Sequence, residues 1–206
     1  MNSDHGNRRA PRGARQDAQR TRILDATIGL LIEGADINHD IVAARCGIGR
    51  RTIYRYFPQR EPLLEAAWKR VLTAAENRLR IPHSRDQYFA ELSATHSSFD
   101  EVAELMTLFF STPRGRATRL SHGASVREAF HRAFERDVAH LPGAERALPL
   151  AVLQLIHSAA WLEMRDFWGL DAEQISRASS WAANVLVRDL HRRASLPLGL
   201  GLISED

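Results

Sequence analysis

The sequence predicts an all-α protein of about nine helices. Apolar residues recur at three- and four-residue spacings along most of the chain, which is the helical period. Glycine, proline and capping residues fall between these runs, where helices should start and stop. Strand-like alternation joined by hairpin turns is not seen, and no internal repeat is evident. With 206 residues and 44% hydrophobic content, the chain can bury an ordinary core.

Residues 1–19 mix Gly, Pro, Arg and Asp without apolar periodicity and read as a mobile basic arm. Arg8, Arg9, Arg12 and Arg15 could lie in a minor groove or act only as diffuse charge. From Thr21, the residues Ile23, Leu24, Thr27, Ile28, Leu30 and Leu31 mark a first helix that Gly34 stops. Asn38 is a good N-cap for a short helix over 40–46, and Gly47 suits its left-handed C-terminal position. A third helix over 50–57 ends at Pro58. A fourth begins near Glu61, tolerates Pro62 in its first turn, and runs to Arg80. Further helices are expected over 86–98, over 100–111 with Asp100 as cap, and over 124–141. A polar, basic connection is expected over 113–121. The last two long helices span 149–168 and 172–193, and the tail from Pro197 looks loose.

Charge is distributed unevenly. Residues 1–60 carry 11 arginines against 6 acids, a balance of +5, whereas the rest carries 17 bases against 19 acids. A basic end suits a polyanionic partner, although a merely solvated basic tail has the same composition. No apolar run reaches the length of a membrane span, and the N-terminus lacks a secretory pattern. The single cysteine, Cys46, leaves no internal disulfide and fits a cytoplasmic location.

Function concentrates in residues 38–60. Two short helices joined by Cys46-Gly47-Ile48-Gly49 form a helix-turn-helix unit. Ile48, Ile53 and Phe57 point into the core, and Cys46 is the small residue at the helix crossing. The outward face then carries Arg50, Arg51, Thr52, Tyr54, Arg55 and Tyr56. An arginine fork matches guanine O6 and N7, while hydroxyls and other cations suit phosphate oxygens. Gly49 at the helix start, Arg60 beside the fourth helix, and Asn38 and His39 at the second complete the candidate DNA-binding set. Tyr54 and Tyr56 could equally be packing residues, and His39 a solvent-exposed histidine.

The stretch over 46–64, CGIGRRTIYRYFPQREPLL, resembles the DNA-binding signature of the TetR (tetracycline-repressor-like) family. Gly47, Ile48, Thr52-Ile53-Tyr54, Tyr56-Phe57, a base at 60, Glu61 and Leu64 carry the resemblance, and the first helix shares its character. Gly49 departs from the usual Ser or Thr cap, Gln59 from the usual Ser, Asn or Asp, and Arg60 from Lys. The resemblance implies a DNA-binding domain over 20–66 and a ligand-binding and dimerisation domain over 67–206. It implies a homodimer joined through the last two long helices, reading a palindromic double-stranded operator and released by a small-molecule effector of largely apolar character. A repressor is the leading reading; an activator or global regulator of the same fold is the alternative.

In the C-terminal half, Met106, Phe109, Phe110, Phe130, Phe134, His157 and Trp161 are the candidate effector contacts, although an ordinary core accounts for each singly. On the last helix Ile175, Ala178, Ser179, Ala182, Val185 and Leu186 form a stripe of mostly small residues suited to a close partner. An enzyme on a helical scaffold is disfavoured: the chain lacks a nucleophile elbow, a zinc-protease motif and a phosphate-cradling glycine loop. His131 and Glu135 share a face but need a further ligand to hold a metal. Nothing in the pattern calls for a cofactor.

Overall fold

The all-helical expectation holds in the computed structural model, which describes residues 12–193 and 196–198. Among the described residues there are twelve helices rather than nine. The chain divides into two compact units, residues 1–73 and 74–206.

The first unit holds α1 (Arg12–Ile32), α2 (His39–Cys46), α3 (Arg50–Tyr56) and most of α4 (Arg60–Glu76). α1 corrects the expected arm, because residues 12–19 are helical. Ala14, Arg15, Gln16, Ala18 and Gln19 are strong helix formers, and an exposed helical turn needs no apolar stripe. Arg8 and Arg9 lie outside the described residues. Asn38 caps α2 as expected, its side chain accepting from the amides of Asp40 and Ile41 at 3.0 Å. Gly47 ends α2 at φ 63°, a left-handed conformation that favours glycine. Arg22 adds a donor from α1 to the Cys46 carbonyl at 2.8 Å. Ile23, Ile28, Val42, Ile53, Leu63 and Val71 are buried together in this unit. α4 stops at Glu76, short of the expected Arg80.

The second unit contains α5 (Arg85–Asp100), α6 (Ala103–Ser111), α7 (Pro113–Ser121), α8 (Gly123–Ala133), α9 (Glu135–Val138), α10 (Ala147–His157), α11 (Ala160–Trp168) and α12 (Ala172–Arg193). α5 packs along α12, and Tyr88, Leu92, Phe130, Phe134, Leu153, Ala183 and Leu190 fill the core they share with α8 and α10. Asp100 belongs to the end of α5 and does not cap α6, which starts after Val102 without a side-chain cap.

Three expectations are corrected here. The connection over 113–121 is helix α7. Thr112 caps it by accepting from the Gly115 amide at 3.1 Å, and Pro113 occupies its first turn. Its exposed arginines hid the helix because they make no apolar stripe. The helix expected over 124–141 breaks at the buried Phe134 into α8 and α9. The helix expected over 149–168 breaks at Ser158 and bends by 53° between α10 and α11. Side chains enter the backbone ladder there. The Tyr88 hydroxyl donates to the Leu153 carbonyl at 3.0 Å, and the His96 ring donates from Nε2 to the Ile156 carbonyl at 3.3 Å.

α12 matches its expected span and opens with a reciprocal cap between Asp171 and Gln174, at 2.9 and 3.0 Å. Its expected stripe does not face outward as a whole. Ile175 and Ser179 are buried inside the unit, whereas Val185 is exposed beside Trp181. The start of the tail is tied down too, since the Leu198 amide donates to Glu145 at 2.6 Å. Among the described residues no single helix is long and apolar enough to cross a membrane.

Candidate nucleic-acid interface

α3 is a two-faced helix. Ile53 and Phe57 anchor it in the core, at 0% and 4% exposure, with Ile48 buried in the turn before it. Four residues further round the helix, Arg50 with Tyr54 and Arg51 with Arg55 form two adjacent exposed rows. Thr52 and Tyr56 flank them and are half-buried. The placement expected from the sequence is therefore present: a cationic, hydroxyl-bearing surface on a helix held rigidly from behind.

The cations differ in what already holds them. Arg50 pairs through Nε with Asp40 of α2 at 2.9 Å, and its Nη2 lies 3.4 Å from the Tyr54 hydroxyl. Its guanidinium also sits 5.4 Å from the centre of the Tyr54 ring. The Tyr54 hydroxyl and the Asp40 carboxylate raise the Arg50 pKa still further, so it is permanently charged. Among the described residues Arg51 makes no ion pair, and it is exposed. Arg55 stacks over Tyr56 at 5.4 Å, and the Tyr56 hydroxyl donates to Gln19 of α1 at 3.1 Å. Gln19 is thus a positioning residue that the sequence reading missed, because it lay in the segment read as an arm.

His39 is not available as the free donor expected. It is buried, its Nε2 donates to the Phe57 carbonyl at 2.7 Å, and its ring stacks on Tyr54 at 4.3 Å and 7°. Its role is to support Tyr54 from beneath. Asn38 is exposed, but its carbonyl oxygen is committed to the α2 cap. Arg60 donates from Nε to the Ile37 carbonyl at 2.7 Å and lies 4.0 Å from Asp36, which fastens the start of α4 to the loop before α2. Gly49 precedes α3 without a side-chain cap, leaving its own carbonyl to accept from Thr52 at 2.8 Å. Cys46 is half-buried at the turn.

In the second unit all seven expected effector contacts are buried, but they fall into two ring clusters. Phe130, Phe134 and His157 gather around Tyr88, whose ring centre is 5.2 Å from Phe134 and 5.4 Å from His157. Phe110 and Trp161 pack against Phe99, which lies 5.5 Å from Trp161, Phe109 joins them through Phe110, and Met106 is buried in the same unit. Trp161 donates from Nε1 to Asp100 at 2.8 Å. The sequence reading missed Tyr88 and His96. Burial pushes the pKa of both His96 and His157 down to about 4, so each is a neutral imidazole at neutral pH. The hydroxyls of Thr95 and Ser179 are buried without a hydrogen-bond partner. Among the described residues no group of three or more His, Cys, Asp or Glu side chains is arranged to hold a metal.

Residues 23–67 match the family described as bacterial regulatory proteins, tetR family. That span covers α2 and α3, the part of α1 beyond Arg22, and the first half of α4. No curated protein matches the chain.

Proposed function

We propose that this chain, whose residues 23–67 match bacterial regulatory proteins of the tetR family, is a DNA-binding transcription regulator of that family and acts as a cytoplasmic, homodimeric repressor released from a palindromic operator by a small-molecule effector. The observation that carries this reading is the outward face of α3. Arg50, Arg51, Tyr54 and Arg55 stand exposed on a helix whose opposite side is fixed in the core. Such a helix fits a major groove, with arginine forks for guanine and the flanking hydroxyls and cations for phosphate. Gly49, Thr52, Tyr56 and Arg60 complete the surface, and Asn38 and His39 support it from α2.

Dimerisation is supported by an apolar surface that the unit leaves uncovered. Leu148, Val152 and Leu155 follow one face of α10 and are exposed. Phe167 and Trp168 at the end of α11 are 81% and 78% exposed, and Trp181 and Val185 lie one turn apart on α12. Large aromatic groups in water favour a partner. We assign that partner as a second copy, because two-fold symmetry supplies the second reading helix a palindrome needs. The effector would act in the second unit, at the Tyr88 and Phe99 ring clusters, by favouring the state that does not bind DNA.

Mapping of bound sites across the genome tests the reading. It predicts a palindromic motif upstream of a small set of genes whose transcripts rise when this gene is deleted. Transcripts that fall on deletion would replace the repressor with an activator, and the absence of any enriched motif would remove the proposal. Trp181→Arg should convert dimer to monomer in sedimentation; a dimer that survives it together with Val152→Arg would place the interface elsewhere.

A further inference from the structure

We propose that Asp40 is a specificity-determining positioning residue: its carboxylate holds the Arg50 guanidinium ready for a base edge and withholds it from the phosphate backbone. The inference rests on the reading that α3 enters a major groove.

Arg50 is restrained from three directions. The Asp40 carboxylate takes Nε at 2.9 Å, the Tyr54 hydroxyl lies 3.4 Å from Nη2, and the Tyr54 ring lies beneath the guanidinium at 5.4 Å. Tyr54 is itself held by the stacked His39 ring, and His39 is fixed by its bond to the Phe57 carbonyl. A continuous support therefore runs from the α3 backbone to the tip of Arg50. Both members of the Asp40–Arg50 pair are more than half exposed, at 59% and 61%. An ion pair this exposed adds little to folding stability. Its consequence lies in what it does to a nearby polyanion.

Two effects follow from that geometry. With Nε occupied, the guanidinium presents its outer Nη edge, the fork that matches O6 and N7 of guanine. Restraint before binding also reduces the ordering cost of a long, flexible side chain. At the same time a carboxylate in contact with the arginine neutralises part of its attraction for phosphate. Sliding contacts along any duplex, which depend on neutralised phosphates, are weakened more than a base contact with fixed geometry. Arg51, which makes no ion pair among the described residues, stands beside it as a second arginine fork without that restraint.

The test uses the full-length protein and selection from a random-sequence duplex library, followed by salt titration on the selected duplex and on unselected duplex. Asp40→Asn should raise affinity for unselected duplex by about threefold to tenfold and steepen the salt slope by about 0.9, the value of one further phosphate contact. It should also reduce the preference for guanine at one base pair of each half-site by about tenfold. In an Arg50→Ala background the same substitution should change none of these. Asp40→Glu, which keeps the charge, should restore the wild-type salt slope and guards against a simple folding defect. An unchanged motif with unchanged affinity for unselected duplex in Asp40→Asn would overturn the inference alone, as would an equal effect in the Arg50→Ala background. Failure of the wild type to enrich any duplex would overturn both this inference and the function on which it rests.

Discussion

Acidification should loosen the second unit through two buried histidines. His96 and His157 are neutral in the fold, their pKa values pushed from 6.5 to about 4 by burial. For His96 the Ile156 carbonyl and the Asp100 carboxylate oppose that shift, and for His157 the neighbouring His96 adds to it. Between pH 6.5 and 4 the unfolded chain binds more protons than the folded one, so stability falls as pH falls. The full stability is present above pH 6.5. By linkage each histidine costs about 1.4 kcal/mol at pH 5.5 and about 3 kcal/mol once pH drops below 4. The bond that His96 gives the Ile156 carbonyl sits at the bend between α10 and α11, so that junction should respond first. Denaturant unfolding followed by near-ultraviolet circular dichroism at a series of pH values measures the effect. His157→Gln, which cannot be protonated, should remove about half of the pH dependence between 6.5 and 5. Stability that stays level across this window, or an unchanged slope in His157→Gln, would refute the reasoning.

Other perturbations have directions set by single contacts. A Cβ on Gly115 would meet the Phe109 carbonyl carbon at 2.7 Å and the Leu108 oxygen at 3.0 Å, so Gly115→Ala should part α6 from α7. The expected loss is about 2–3 kcal/mol or more by thermal unfolding, and a loss below half of that would show the junction to be yielding. Asn38→Ala removes an acceptor from two amides and should cost about 1 kcal/mol, with a parallel loss of duplex affinity because α2 supports Tyr54. Trp161→Phe strips the bond to Asp100 and should cost about 1–2 kcal/mol; no change would mean that Asp100 is satisfied by water.

How much of this was legible depended on whether the signal was local. The Asn38 cap, the turn at Gly47 and the inward pair Ile53 and Phe57 follow from neighbours in sequence, and all stand where expected. The outward arginines follow from the same helical period. α7 carried its own start signal in Thr112-Pro113, but a solvated basic helix lacks the stripe by which helices are usually recognised. The breaks at Phe134 and Ser158 were illegible because their causes are tertiary: the latter is held by Tyr88 and His96, far away in sequence. His39 was misread for the same reason, since its partner Phe57 is brought to it only by the fold.

The most direct test of the central claim is the salt dependence of duplex binding by the wild type and by Arg51→Ala. Wild-type affinity should fall linearly on a logarithmic scale as salt rises, and Arg51→Ala should weaken binding to the selected duplex by about 1–3 kcal/mol, with less loss on unselected DNA. Equal affinities for the two proteins on both duplexes, across the whole salt range, would contradict the assignment of α3 as the reading helix.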